Sequence, residues 1–247
     1  MATLRSYATG TANEVMNAII SLTTIPSRIE YIGLCLQSLV AQGLPVYLWA
    51  VEKIERSDIR LKHIPLFLVD TCIHVEIVED RGPITKLLPA LERGFDTIIT
   101  ADDDCTYDKD WARGLLTWAE KLPNAALGYR GRILTGRGYL QSRLVLKSRI
   151  KNPISVDIIT GVEGALYHAK MFDKNIYDEW RCWPINDDLV ISAHLKRRGI
   201  TRYVIPSKCI IRNQKVRYIT PLFEANTQAA SRNDEGLIVL GLERRND

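Results

Sequence analysis

The chain lacks any apolar run near the roughly 20 residues that a membrane-spanning helix needs, and its first residues lack the basic start and apolar stretch of a secretory signal. Its five cysteines, Cys35, Cys72, Cys105, Cys182 and Cys209, show no C-x-x-C and no metal-ligand spacing. An odd, scattered set excludes a disulfide framework and suits a reducing compartment. The expectation is a cytoplasmic protein, or one held at the inner face of a membrane only by its surface. No Pro/Gly/Ser-rich or charge-run linker divides the 247 residues, and no repeat period is visible, which favours one domain. Acids are missing from Glu120 to Asp157, where Lys121, Arg130, Arg132, Arg137, Arg143, Lys147, Arg149 and Lys151 stand. That stretch reads equally as a solvated face or as a surface for an anionic partner, such as a phosphate-linked acceptor or an acidic membrane. The net charge of +4 is too mild to argue for nucleic acid, and none is expected as a partner.

What is present is an ordinary globular composition, 46% apolar, enough for one sizeable core. Residues 1–14 are small and polar and read as a flexible N-terminus. Asn17–Thr24 (NAIISLTT) is a short apolar run typical of a buried parallel strand. Ile29, Ile32, Leu36, Leu39 and Val40 recur at helical spacing until Gly43. Val46–Val51 and His74–Val78 read as further strands. Pro83 opens a helical segment carrying Leu87, Leu88 and Leu91, with Gly94 as its stop. Asp96–Ala101 is a fourth strand that runs straight into Asp102, Asp103 and Asp104. A helix over Asp108–Lys121 follows, with Trp111, Leu115, Leu116 and Ala119 on one face. The order β-α-β-β-α-β-α implies an α/β fold, a Rossmann-like, mainly parallel sheet flanked by helices. Ala165–His168 reads as a strand, and Asp187–Arg198 as a helix with Asn186 as N-cap and Gly199 past its end. Tyr203–Ile205 and Cys209–Ile211 read as short strands, and past Pro221 the pattern weakens.

In open α/β sheets ligands bind outside the carboxyl ends of the strands, and the triple aspartate sits at such an end. Adjacent carboxylates repel and need a cation or several backbone donors to stay ionised. A divalent metal with oxygen ligands is one such partner, bridging the phosphates of a nucleotide-sugar. A solvated acidic turn capping the next helix is the plainer alternative.

Four segments, in order, resemble the GT-A glycosyltransferases, especially those similar to family 2. They are Ser21–Arg28 (SLTTIPSR), Glu79–Leu87 (EDRGPITKL), Asp102-Asp103-Asp104 with Tyr107 and Trp111, and Asn186-Asp187-Asp188 with Ser192, Leu195 and Gly199. The resemblance implies a GT-A domain over 15–215, with 216–247 an extension packing on or near the acceptor site. It implies a role for the DxD element in polysaccharide or related biosynthesis from a nucleotide-diphosphate sugar, UDP-linked by family habit. Thr23, Thr24, Arg28 and Asp80 would hold the nucleoside, Lys86 the phosphates, Asp102 the ribose or the metal, and Asp103 the donor sugar. Asp104 would ligate a divalent metal, Mn²⁺ or Mg²⁺, with Asp102. The family's usual late histidine ligand is missing, since no His follows His194. Either few protein groups hold the metal, or Asn213 substitutes, or the metal is weakly bound. Asp188 would be the base that deprotonates an acceptor hydroxyl, with Asp187 orienting the acceptor, a saccharide or lipid-linked molecule. Gly161, Glu163, Gly164 and Trp183 would line the acceptor and sugar site, and one base favours inversion. His168 and His194 read as structural.

Other readings are a nucleotide-sugar-forming nucleotidyltransferase and a catalytically silent sugar- or nucleotide-binding domain. The turn T-T-I-P-S-R has no glycine to grip a triphosphate, which counts against the first. A dehalogenase-like phosphatase is excluded because no aspartate follows the first strand.

Overall fold

A computed structural model describes residues 17–54, 60–61, 63–65, 68, 72–214 and 229–242. The expectations for 1–14, 216–228 and 243–247 lie outside those residues. Four parallel strands form the heart: β1 (Ala18–Thr24), β2 (Val46–Val51), β3 (Ile73–Val78) and β4 (Thr97–Ala101). The chain goes on through β5 (Cys105–Tyr107), β6 (Ala126–Gly128), β7 (Arg130–Ile133), β8 (Arg143–Leu146), β9 (Ile154–Ser155), β10 (Ile158–Ile159), β11 (Ala165–His168), β12 (Arg202–Val204) and β13 (Ile211–Asn213). The main sheet has the order β3-β2-β1-β4-β11-β6-β12-β9, with β11 antiparallel to both of its neighbours. The α/β expectation, a mainly parallel central sheet flanked by helices, is met.

The apolar runs explain the centre. Every residue of β4 is buried, as is nearly all of β1, because both faces of these strands are covered. Alternate residues feed opposite layers. Ile19, Ile98 and Tyr167 join one hydrophobic cluster, while Ile20, Ile99 and Leu166 join the other. Helices α1 (Gly33–Val40) and α3 (Trp111–Lys121) cover the second layer through Leu36, Leu39, Trp111 and Leu115. Helix α5 (Asp187–Arg197) covers the first through Leu189 and Val190, with α4 (Asn175–Cys182) packed beside it. The short α2 (Leu88–Glu92) continues a 3₁₀ segment, Gly82–Lys86, where one helix is read from the sequence. The last helix, α6 (Ala229–Val239), has no counterpart in the sequence reading.

The short strand β5 also went unread, and its partner is shifted from its expected place. The helix expected from Asp108 starts at Trp111, because Cys105–Tyr107 is a strand. Its partner is β13, about a hundred residues later, with Asn213 opposite Cys105 and Ile211 opposite Tyr107. That partner lies two residues beyond the strand expected at Cys209–Ile211.

A second sheet, β10-β7-β8, rests on the first through Gly131. A methyl group added there would stand 2.7 Å from the Ile158 carbonyl oxygen, 2.8 Å from Val204 and 2.9 Å from Val156. The core side of β7 therefore has room for hydrogen alone. Gly131→Ala is expected to cost about 1–3 kcal/mol through overpacking, read as a lower urea midpoint with an unchanged slope.

Candidate active site

Register places the site. Leu22 of β1 lies opposite Ala101 of β4, so the residues that follow each strand emerge side by side at the carboxyl edge. Thr24 Oγ1–H donates to Asp103 Oδ2 at 2.7 Å, and Arg28 Nη1 donates to Asp103 Oδ1 at 2.8 Å. Both oxygens of Asp103 are thus engaged, and the side chain is buried. Burial pushes the Asp103 carboxyl up, while Arg28 and Thr24 oppose the shift. Asp103, expected to face the donor sugar, instead ties the turn after β1 to the end of β4. Thr23 is likewise engaged elsewhere, its hydroxyl donating to the Trp49 carbonyl at 2.9 Å.

Lys86 is brought to the centre by β1. Ser21, buried mid-strand, donates to the Lys86 carbonyl at 2.6 Å and accepts the Trp49 indole N–H at 2.8 Å. Asp80 Oδ1 accepts the Gly82 N–H at 2.8 Å and so shapes the turn that opens the Lys86 segment. The ammonium lies 2.9 Å from Asp102 Oδ1 and 3.0 Å from Asp187 Oδ2. Two acidic motifs 85 residues apart in sequence therefore meet on one buried cation. Lys86 is buried, so its ammonium is paired inside the protein and not with a surface acid.

Asp187 and Asp188 open α5, where Asn186 accepts the Leu189 N–H at 3.2 Å as its cap. Asp188 Oδ1 accepts the Gly161 N–H at 2.8 Å. A methyl at Gly161 would come within 3.2 Å of that oxygen and 3.4 Å of Lys86 Nζ, so a side chain there would press on the ion cluster. One ammonium faces three carboxylates here. Burial alone would lower the Lys86 pKa, but Asp102, Asp187 and Asp188 outweigh it and push it well up. The charge deficit falls on the acids. Burial, opposed by Lys86, raises Asp102. Burial, then Asp187, pushes Asp188 up to about 7.

The other expected acceptor residues are engaged within the protein, by an ion pair or by packing. Glu163 pairs with Lys147, and its carbonyl accepts the Trp111 indole N–H at 2.9 Å. Gly164 adopts φ +99°, with the Trp111 ring against the place a side chain would fill. Trp183 is buried and seated on Gly236 of α6, so it offers no open stacking face. Helix α6 also holds Asn186 through Asn233 (2.9 Å) and the Tyr139 N–H through Asp234 (2.6 Å). His168 and His194 are structural, bonded to Thr97 and Glu179. Two supports went unread: Tyr107 Oη accepts the Asp102 N–H at 2.8 Å, and the Gln214 N–H donates to the Asp104 carbonyl at 2.6 Å. The latter bond extends the β5–β13 pairing, which also sets Asn213 next to the triple aspartate.

Among the described residues no group of three or more His, Cys, Asp or Glu side chains is placed to hold a metal ion. Asp103 is closed, and Asp102 shares an oxygen with Lys86. Asp104 is half-buried and takes a long thiol contact from Cys105 at 3.5 Å. This donor set does not fit an ion caged by protein alone. It fits a hard cation held by one or two carboxylates, with phosphates and water completing its shell. No helix among the described residues is long and apolar enough to cross a membrane.

No family model matches the chain, and no curated protein does. Solved structures match. S. aureus TarS superposes with a TM-score of 0.51 at 15% identity, over 80% of this chain and 36% of that one. S. aureus TarS 1-349 in complex with UDP-GlcNAc gives 0.58 at 16% identity, over 92% of this chain and 65% of that one. The chain thus spans about a third of the first and just under two-thirds of the second. Identity this low shows a shared fold.

Two outcomes follow from the ion cluster. Lys86→Met strands the buried Asp187 and the half-buried Asp102 and should cost about 3–5 kcal/mol of stability at pH 7 in urea unfolding. Asp188→Asn should act oppositely. Between about pH 4, the ordinary aspartate range, and the raised value of about 7 the folded state holds the extra proton, so wild-type stability falls as pH rises. The asparagine keeps the Gly161 bond and removes that slope. It should be more stable than wild type at pH 8, and the gap should close towards pH 4.

Proposed function

We propose that the chain is a glycosyltransferase moving a sugar from a nucleotide-diphosphate donor, a UDP-sugar, to a hydroxyl of a saccharide or lipid-linked acceptor. One observation carries this: Lys86 joins the acids at the end of β4 to the acid pair at the start of α5. Leaving-group side and base side therefore share one spot at the carboxyl edge of the sheet, where α/β folds bind ligands. The likeness of fold to TarS, solved with UDP-GlcNAc, supports the donor class.

In this reading Asp188 takes the proton of the acceptor hydroxyl as its oxygen attacks the anomeric carbon. The bond from that carbon to the diphosphate breaks, and the nucleoside diphosphate leaves with the electron pair. Attack from the side opposite the leaving group inverts the centre. A base near pH 7 suits such a transfer, being free at working pH yet basic enough to draw the proton. The Gly161 N–H holds its carboxylate in place, and Asp187 is held by Lys86 to orient the acceptor. Lys86 faces the phosphates. Thr24, Arg28 and Asp80 shape the nucleoside end, Arg28 and Thr24 by way of Asp103.

A cluster with more carboxylates than cations repels a diphosphate, which favours a further cation arriving with it. Asp104, with Asp102 beside it, would hold a Mn²⁺ or Mg²⁺ together with the diphosphate oxygens, as the donor set fits. When bound, that ion neutralises charge developing on the departing diphosphate.

A thermal-shift series with UDP-GlcNAc and related donors, with and without Mn²⁺, tests this. One donor should raise the melting temperature in a metal-dependent way. Asp104→Asn should abolish the metal-dependent part. Asp188→Asn should keep donor binding and lose transfer by 100-fold or more, in the range of general-base loss, about 10²–10⁴. Normal turnover by Asp188→Asn would remove the base assignment, and donor binding without any hydrolysis or transfer would favour a silent binding domain.

A further inference from the structure

The β7 strand carries two arginines that the donor reading does not use. Gly131 faces the core, so strand alternation turns Arg130 and Arg132 to the opposite face, about 7 Å apart. Across the strand pair, the Thr160 N–H donates to the Arg130 carbonyl at 3.0 Å, which extends the β10–β7 ladder and sets Thr160 on the face of Arg130. Thr160 is 5% exposed, and its Oγ1 has no hydrogen-bond partner; Arg130 Nε is buried and has none either. The next residue, Gly161, donates to Asp188.

Arg132 is held in place. Its guanidinium lies over the Tyr139 ring at 4.5 Å, and Nη1 donates to Ser142 Oγ at 3.0 Å and to the Tyr139 carbonyl at 3.3 Å. The Tyr139 phenol is pushed up to about 12, by burial first and by the Asp188 charge second, while Arg132 and Arg130 pull it down. Both arginines and the acid thus lie within electrostatic reach of one hydroxyl. Among the described residues neither arginine forms an ion pair, and the chain offers no acid from 121 to 156 to supply one.

We infer that Arg130, Arg132 and Thr160 form an oxyanion subsite beside Asp188, so that the acceptor carries a phosphate or carboxylate near the hydroxyl that is glycosylated. Guanidinium groups match either anion through paired N–H donors, and the Thr160 hydroxyl adds a third. The subsite rests on the glycosyltransferase reading for the role of Asp188. Its arginines are distinct from Lys86, which serves the donor phosphates.

Calorimetric titration of inorganic phosphate into protein saturated with UDP and Mg²⁺ tests this, since the donor phosphate site is then filled. Wild type should bind phosphate. Arg130→Gln should weaken that binding tenfold or more with UDP affinity within twofold, and Arg130→Lys should recover part of it. Thr160→Val, which removes an unpartnered buried hydroxyl while keeping the shape, should weaken phosphate several-fold without lowering the melting temperature. Competition by D-glucuronate separates a carboxylate acceptor from a phosphate one. Absence of phosphate binding to the UDP-saturated wild type overturns the subsite, as does an equal loss of UDP and phosphate in Arg130→Gln. Should UDP fail to bind while Arg130-dependent phosphate binding persists, the anion site stands and the donor reading falls.

Discussion

A single ammonium, that of Lys86, stands between carboxylates delivered by opposite parts of the chain, Asp102 from the end of β4 and Asp187 from the start of α5. Neither acid could be buried alone, because an unpaired charge away from water is too costly. The pairing therefore sets where α5 begins relative to the central sheet. The rest of the site is arranged around holding that lysine. Ser21 reaches from mid-β1 to its backbone, Trp49 orders Ser21, and Asp80 shapes the turn before it. A side chain at Gly161 would crowd both Asp188 and Lys86.

The cluster is also out of electrical balance. Three carboxylates share one lysine, and burial first, with their mutual repulsion second, raises the affinity for protons at Asp102 and Asp188. A carboxyl raised towards neutrality in this way is a feature that functional sites use. By contrast Asp103, flanked by the same neighbours, is closed off by Arg28 and Thr24 and acts as a brace. Three identical residues in a row thus take three roles, set by what each meets: a lysine, an arginine, and a half-open edge beside β13.

Much of this was legible because it depends on local pattern. The apolar runs of β1, β2 and β4 needed only their own residues to be read as buried strands, and Asn186 with Asp187 announced the start of α5. The triple aspartate and the acid pair were conspicuous as charge at element ends. The pairing of β5 with β13 was not legible, since three-residue strands carry little periodicity and their partner lies about a hundred residues away. Helix α6 was missed for a similar reason: its docking rests on Asn233, Asp234 and Gly236 meeting Asn186, the Tyr139 backbone and Trp183, contacts without a periodic signature.

Sequence alone determined the α/β class, the strands that carry the core, and which carboxylates stand at strand and helix ends, because hydrophobic periodicity and capping are short-range properties. Only the tertiary structure decided which carboxylate keeps its freedom. Register set Thr24 and Arg28 against Asp103, and the Ser21 bond steered Lys86 to Asp102 and Asp187. Packing set Gly164 against Trp111 and Trp183 against Gly236, and paired Glu163 with Lys147. Charge pairing depends on distances of about 3 Å between residues far apart along the chain, and those distances exist only once the layers have closed.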